Sequence, residues 1–148
     1  MAILVSACLL GENCKWDGGN NRNERVIALC EGQEVIPVCP EVAGSLPVPR
    51  QPSEIRDGHV VARDGTDVDN AFRLGADKCL ALCEGKPIDF AILKARSPSC
   101  GKGSIYDGSF SGTLVSGDGV FAALLRERGV IVLTEDEIEK AEKILRKL

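Results

Sequence analysis

Four short apolar runs separated by helical periodicity predict an α/β fold for this 148-residue chain. The class expected is a three-layer αβα, Rossmann-like domain with a mainly parallel sheet of about four strands and a small hairpin insertion. Three observations lead there. The runs at residues 2–5, 34–38, 88–93 and 130–133 are almost wholly apolar, as strands covered on both faces are. The segments between them repeat apolar residues at three- and four-residue spacing. Asp57-Gly58 between β-capable residues marks the hairpin.

Each element has its own signal. The first run ends at the small polar segment Ser6-Ala7-Cys8, and a loop rich in Gly and Asn follows over 11–21, with Cys14 inside it. Residues 24–31 carry apolar side chains at 26, 27, 29 and 30, which suits a short amphipathic helix. The second run is followed at once by Cys39-Pro40-Glu41, and five prolines between 37 and 52 predict extended loop rather than helix there. The hairpin is expected over 55–61, around Arg56-Asp57-Gly58-His59. Residues 67–84 place apolar side chains at 68, 71, 72, 76, 79, 80 and 83 on one helical face, which Gly85 and Pro87 end. The third run, 88–93, leads into 95–117, rich in Ser and Gly and without regular periodicity. A helix over 119–128, the fourth run and a capping box at Thr134 and Glu137 follow, opening a last helix to Leu148. No repeat or linker interrupts the pattern, so residues 1–148 are expected to form a single domain.

Composition excludes several functions. Apolar residues at 44% and charged residues at 27% are ordinary for a globular domain. A net charge of -4 supplies no cationic excess for a phosphate backbone, so nucleic acid is not an expected partner. No apolar stretch approaches the ~20 residues that span a bilayer, so no membrane is expected either. The first residues lack a basic region ahead of their short apolar run, which argues against a signal peptide; a cytoplasmic protein is expected.

The cysteines are the anomaly. Seven are present beside one His, so any metal site would be thiolate-based. Cys8, Cys39 and Cys100 each follow a predicted strand, and in open α/β sheets ligands bind outside the carboxyl ends of the strands. Cys30, Cys79 and Cys83 fall on apolar helix faces, where a thiol behaves as a small hydrophobe. Cys14 fits neither group. Structural zinc takes four ligands, commonly in close Cys-x₂-Cys pairs that this chain lacks. Iron–sulfur clusters usually take four thiolates; three would leave one iron open, as a catalytic site requires. Inert burial of all seven accounts for the composition equally well.

Longer motifs narrow the choice. Ser6-Ala-Cys-Leu-Leu-Gly11, Cys14-Lys-Trp-Asp-Gly18, Pro37-Val-Cys-Pro-Glu-Val42 and Leu46-Pro-Val-Pro-Arg50 stand in the first third. Ser97-Pro-Ser-Cys-Gly101, Ile105-Tyr-Asp-Gly-Ser-Phe-Ser-Gly112 and Gly117-Asp-Gly-Val120 follow. In this order they resemble a family, once catalogued as a domain of unknown function, that includes the thiouracil desulfidases. The resemblance runs from about Ser6 to Leu133. It departs at Ser45, where Gly is usual, at Trp16, where Tyr is usual, and at Asp69 and Phe121, where Thr is usual; none removes a candidate ligand.

The resemblance implies that Cys8, Cys39 and Cys100 bind a [4Fe-4S] cluster with one iron free to take a sulfur. It implies proton handling and substrate positioning for Glu41 and Ser97. The substrate would be a thiolated pyrimidine, hydrolysed to uracil and hydrosulfide without net redox change. Thiocarbonyl sulfur and iron are a soft–soft pair, and Glu41, two residues past Cys39, is placed to activate water. Some relatives carry a further domain linked to tRNA dethiolation; none is found here, so a small free substrate is expected.

Other readings remain open on the sequence alone. The Gly- and Ser-rich segment 101–119 suits a non-catalytic nucleotide- or phosphate-binding module, though it lacks the patterns GxxxxGK[ST] and GxGxxG. A structural zinc or redox-thiol protein is the third. Residue by residue, Glu41 reads equally as a surface carboxylate, Ser97 and Ser99 as caps of the turn at Pro98, and Trp16 as core. Asp17-Gly18 reads as a turn, Arg50 and Arg96 as surface salt bridges, and His59 as an exposed hairpin residue.

Overall fold

The computed structural model describes residues 2–147. Its centre is a four-stranded, all-parallel sheet formed by β1 (Ala2–Ser6), β2 (Glu34–Val38), β5 (Ile88–Leu93) and β8 (Val132–Thr134), in the order β2-β1-β5-β8. Two antiparallel hairpins, β3 (Ser53–Arg56) with β4 (His59–Ala62) and β6 (Ser104–Tyr106) with β7 (Leu114–Ser116), lie apart from it.

Alternation along the strands assigns two cores. Leu4, Ala91, Leu93 and Val132 face one side, against helices α3 (Asp69–Ala81) and α4 (Val120–Glu127) through Phe72, Ala76, Phe121 and Leu125. Ile3, Val5, Phe90, Ile92 and Leu133 face the other, against α1 (Glu24–Cys30) and α5 (Ile138–Arg146) through Val26, Ile138 and Ala141. The three layers are those expected. Every residue of β1 is buried, which is why its sequence shows no polar alternation.

The chain leaves β1 toward β2 and returns across it to β5, so the connections diverge between β1 and β5. That divergence makes the crevice at which α/β folds bind ligands.

Several local details differ from expectation. Residues 37–52 are not loop throughout. Pro37 lies within β2, an edge strand, opposite Val5, and the run Pro40–Ala43 turns once as helix α2. Pro40 takes the first helical position, where its missing N–H removes no bond. Residues 95–117 contain the β6–β7 hairpin, whose three-residue strands are too short to show a period of two. The first hairpin extends to 53–62, and Asp57 and Gly58 take φ of 51° and 78°, as a type I′ turn requires. The capping box forms, but the helix opens with a 3₁₀ turn at Glu135–Glu137 before α5; Leu148 lies outside the described residues. Ser45 takes φ 70°, the left-handed region that glycine enters freely, where the resembling family usually has Gly.

Helix α2 is clamped on α3 by backbone contact. A Cβ on Gly75 would collide with the Pro40 carbonyl, and one on Gly44 with the Ala71 carbonyl. Gly75→Ala should therefore push α2 off α3 and cost about 1–3 kcal/mol, typical of overpacking. Urea unfolding of the metal-free protein reads this; native stability would show that α2 is not held there.

Candidate active site

A cleft of about 350 Å³ opens at the carboxyl ends of β1, β2 and β5. Its lining includes Cys8, Cys39, Cys100, Glu41 and Ser97, the residues singled out in the sequence, together with Cys14. Local structure explains each position. After β1 the chain makes a 3₁₀ turn at Ala7–Leu10 that presents Cys8. Asn21 folds the following loop back onto it, giving its backbone N–H to the Cys8 carbonyl at 3.0 Å and its side-chain amide to the Cys8 sulfur at 3.5 Å. This return carries Cys14 into the cleft. Cys39 takes the N-cap position of α2, and its thiol donates to the Cys14 carbonyl at 3.9 Å. Cys100 closes a turn stitched to the start of α4, where Val120 N–H meets the Pro98 carbonyl and Phe121 N–H the Ser99 carbonyl, both at 2.8 Å.

A polar network spans the floor. Arg50 Nε donates to Glu41 Oε1 at 3.0 Å, and Arg50 Nη2 donates to the Cys14 carbonyl at 2.8 Å. The Arg50 and Glu41 side chains are only 7% and 15% exposed, so the expected surface salt bridge for Arg50 is instead an internal one. Ser99 Oγ donates to Glu41 Oε2 at 3.0 Å. Ser97 Oγ accepts the N–H groups of Ser99 and Cys100 at 3.2 and 3.1 Å. Behind Cys8, Lys94 pairs with Glu135 at 2.9 Å, and Lys94 N–H reaches Ser6 Oγ at 2.9 Å, tying the ends of β5 and β1 together. Trp16, a core candidate on the sequence, lines the mouth and is 41% exposed.

The thiols feel one another. Burial pushes the Cys8 thiol up; the Asn21 bond opposes this and the neighbouring Cys39 adds to it. Burial also pushes Cys100 up, against hydrogen bonds from Ser6 and Ser99, with Cys8 and Glu41 adding to the rise. Cys14 and Cys39 act as a pair: the Cys39 thiol donates to the Cys14 carbonyl at 3.9 Å, and the Cys14 thiol donates toward the Cys39 sulfur once Cys39 ionises. That second bond raises Cys14 and, with Val42 N–H and Arg50 against the opposing burial, lowers Cys39 to about 7.

The donor set is soft, the three strand-end cysteine thiols with no histidine in the lining of the cleft. Among the described residues, no three His, Cys, Asp or Glu side chains are grouped to hold a single metal ion. All seven cysteines are free, and of the three at strand ends Cys39 acts on Cys8 and Cys8 on Cys100. The residues present fit a thiolate-ligated cluster.

Other candidates stay outside. Cys79 is buried beneath the sheet, and Cys30 is half-buried at the end of α1. Helix α3 stops at Ala81, so Cys83 lies in the next turn, half-buried, with its thiol donating to the Cys79 carbonyl at 3.6 Å. Arg96 lines the rim and reaches Asp136 only at 4.0 Å; His59 is exposed on its hairpin. Asp17-Gly18 forms a turn, with Gly18 N–H on the Lys15 carbonyl at 2.9 Å. Sequence reasoning underrated Arg50, Ser99 and Cys14. Their roles arise from pairings across the fold, and only Arg50's nearness to Glu41, nine residues along, hinted at one.

Fold and cleft together define a three-layer α/β protein with a thiol-lined site at the switch point of a parallel sheet. A family model for 2-thiouracil desulfurase matches residues 3–137, and the chain belongs to that family. It is 38% identical to "Uncharacterized protein YbbK" of Bacillus subtilis (strain 168), over 92% of this chain and 97% of that protein. It also matches the solved structure of a [4Fe-4S]-dependent thiouracil desulfidase, TudS (DUF523Vcz), with a TM-score of 0.91 and 43% identity, covering 99% of each chain. No helix among the described residues is long and apolar enough to cross a membrane.

The thiol ordering has a direct test in the metal-free, reduced protein. Thiolates alkylate and thiols do not, so Cys39 should react first with iodoacetamide, its rate rising as pH passes about 7. Cys8, Cys14 and Cys100, pushed upward, should lag until more alkaline pH. Peptide mapping by mass spectrometry reads the order; Cys14 reacting ahead of Cys39 would reverse the assignment within the pair.

Proposed function

We propose that this chain, acting as a single domain, catalyses the [4Fe-4S]-dependent hydrolysis of a thiolated pyrimidine, thiouracil giving uracil and hydrosulfide. The observation that carries the reading is one cleft in which three strand-end thiols stand beside a carboxylate clamped on both oxygens. Family membership and the likeness to a [4Fe-4S]-dependent thiouracil desulfidase support it.

Cys8, Cys39 and Cys100 hold the cluster. When bound, it supplies a Lewis-acidic iron without a protein ligand, soft enough to pair with a thiocarbonyl sulfur. The rest is the work of this chain. Glu41 takes a proton from the water that attacks the thiocarbonyl carbon. Arg50 holds one oxygen of its carboxylate at 3.0 Å. Ser97 holds the turn that presents Cys100 and lines the cleft where the ring sits. Trp16 and Tyr106 line it too, giving flat aromatic surface for a planar pyrimidine. The cleft volume lies in the range of small-ligand sites. Oxygen replaces sulfur at one carbon, and no electron enters or leaves. The protein works in the cytoplasm, without membrane or nucleic-acid partners.

Ligation and chemistry separate experimentally. Cys8→Ala, Cys39→Ala and Cys100→Ala, reconstituted without air, should each lose iron and desulfidation, whereas Cys83→Ala and Cys14→Ala should keep both. Equal iron loss in Cys14→Ala would mean a closed, four-thiolate cluster and end the open-iron reading.

Glu41→Gln keeps the size and one of the two acceptor positions but removes the base. It should retain iron and thiouracil binding yet release hydrosulfide at least about a hundredfold more slowly. Turnover near the native rate would remove Glu41 from the chemistry.

A further inference from the structure

The serines flanking Pro98 differ in what their hydroxyl protons can do. Ser97 Oγ already accepts two backbone N–H groups, from Ser99 at 3.2 Å and Cys100 at 3.1 Å. A hydroxyl has two acceptor sites and one proton, so the Ser97 proton is left to donate. The neighbouring acceptor is Ser99 Oγ, 3.0 Å away. Ser99 therefore receives from Ser97 and must donate onward. Two acceptors are in range, Glu41 Oε2 at 3.0 Å and the Cys100 sulfur at 3.6 Å. The carboxylate is closer and the stronger acceptor. The backbone thus fixes the direction of the whole chain, from the turn through Ser97 and Ser99 to Glu41.

Ser99 is 2% exposed, so it scarcely reaches a substrate. It reaches Glu41 instead. The terminal torsion of a glutamate is broad and poorly determined by its own rotamer. Arg50 restrains one oxygen; without a donor on the other, the carboxylate pivots about that single bond.

We propose that Ser99 is the positioning residue for Glu41, the last link of a directed hydroxyl chain anchored by Ser97. The proposal rests on Glu41 as the base. Ser97 then influences the reaction through Ser99 rather than by giving its own proton to substrate.

The test uses cluster-loaded Ser99→Ala, Ser99→Thr, Glu41→Gln and the double variant Ser99→Ala/Glu41→Gln. Iron content, thiouracil affinity, KM and kcat are measured for each. Ser99→Ala should lower kcat at least about tenfold, since small misplacements of a reacting group carry such costs. Iron content, affinity and KM should stay native, and Ser99→Thr, which keeps the hydroxyl, should recover most of the rate. Where Glu41 is already Gln, removing the hydroxyl should slow turnover less than about twofold further, because the two act as a unit. A second readout needs no cluster. The infrared difference between metal-free native protein and Ser99→Ala should show a carboxylate band that vanishes when Glu41 is Gln.

Native kcat in Ser99→Ala, or its full cost undiminished in the double variant, overturns the proposal. Iron loss in Ser99→Ala with a silent infrared difference also overturns it, by making Ser99 a support for Cys100. Native turnover in Glu41→Gln overturns the base assignment itself, and the infrared band then still tells whether Ser99 holds the carboxylate.

Discussion

Strand β1 lies between two parallel neighbours and is buried along its whole length, and this arrangement places the site. Parallel pairing makes β2, β1 and β5 end at one edge of the sheet. Whatever follows those strands is delivered there together, however far apart it lies in sequence. Cys8, Cys39 and Cys100 are such residues. The reversal of connection between β1 and β5 keeps that edge open. The four helices that cover the sheet, α1 and α5 on one face and α3 and α4 on the other, close the sides and leave this end free.

Gathering thiols and a carboxylate in a half-buried cleft sets like charges against one another. Glu41 raises both Cys39 and Cys100, and Cys8 raises Cys100 and Cys14. The fold offsets this with two internal cations. Arg50 pairs with Glu41 and lowers Cys39, and Lys94 pairs with Glu135 and lowers Cys8. Removing one partner of so enclosed a pair typically costs about 3–5 kcal/mol, because the other charge is left without compensation. Arg50 also grips the Cys14 carbonyl, so one guanidinium joins the Asn- and Gly-rich loop to α2. Electrostatics and architecture meet in that residue.

Much of this was legible in the chain. Buried parallel strands announce themselves by unbroken apolar runs, and Asp57-Gly58 and Thr134–Glu137 name their turn and cap directly. The strand-end position of three cysteines followed from the strands alone. What escaped depends on pairings between distant segments. Helix α2 was hidden because proline at a first helical position looks like proline in a loop. The β6–β7 hairpin was hidden because three residues cannot establish an alternation. The inward turn of Arg50 and the link from Ser99 to Glu41, 58 residues apart, leave no local trace. Cys14 reaches the cleft through contacts made across the fold, Asn21 drawing its loop back over Cys8 and Arg50 holding its carbonyl.

The central claim is that three strand-end thiolates hold a cluster with one iron left open to sulfur. Mössbauer spectroscopy of anaerobically reconstituted, ⁵⁷Fe-labelled protein, frozen directly after mixing with thiouracil, tests it without relying on turnover. A change confined to a single iron environment, the others staying as they were, is the result expected. A spectrum untouched by saturating thiouracil, or one in which all irons change alike, would contradict it.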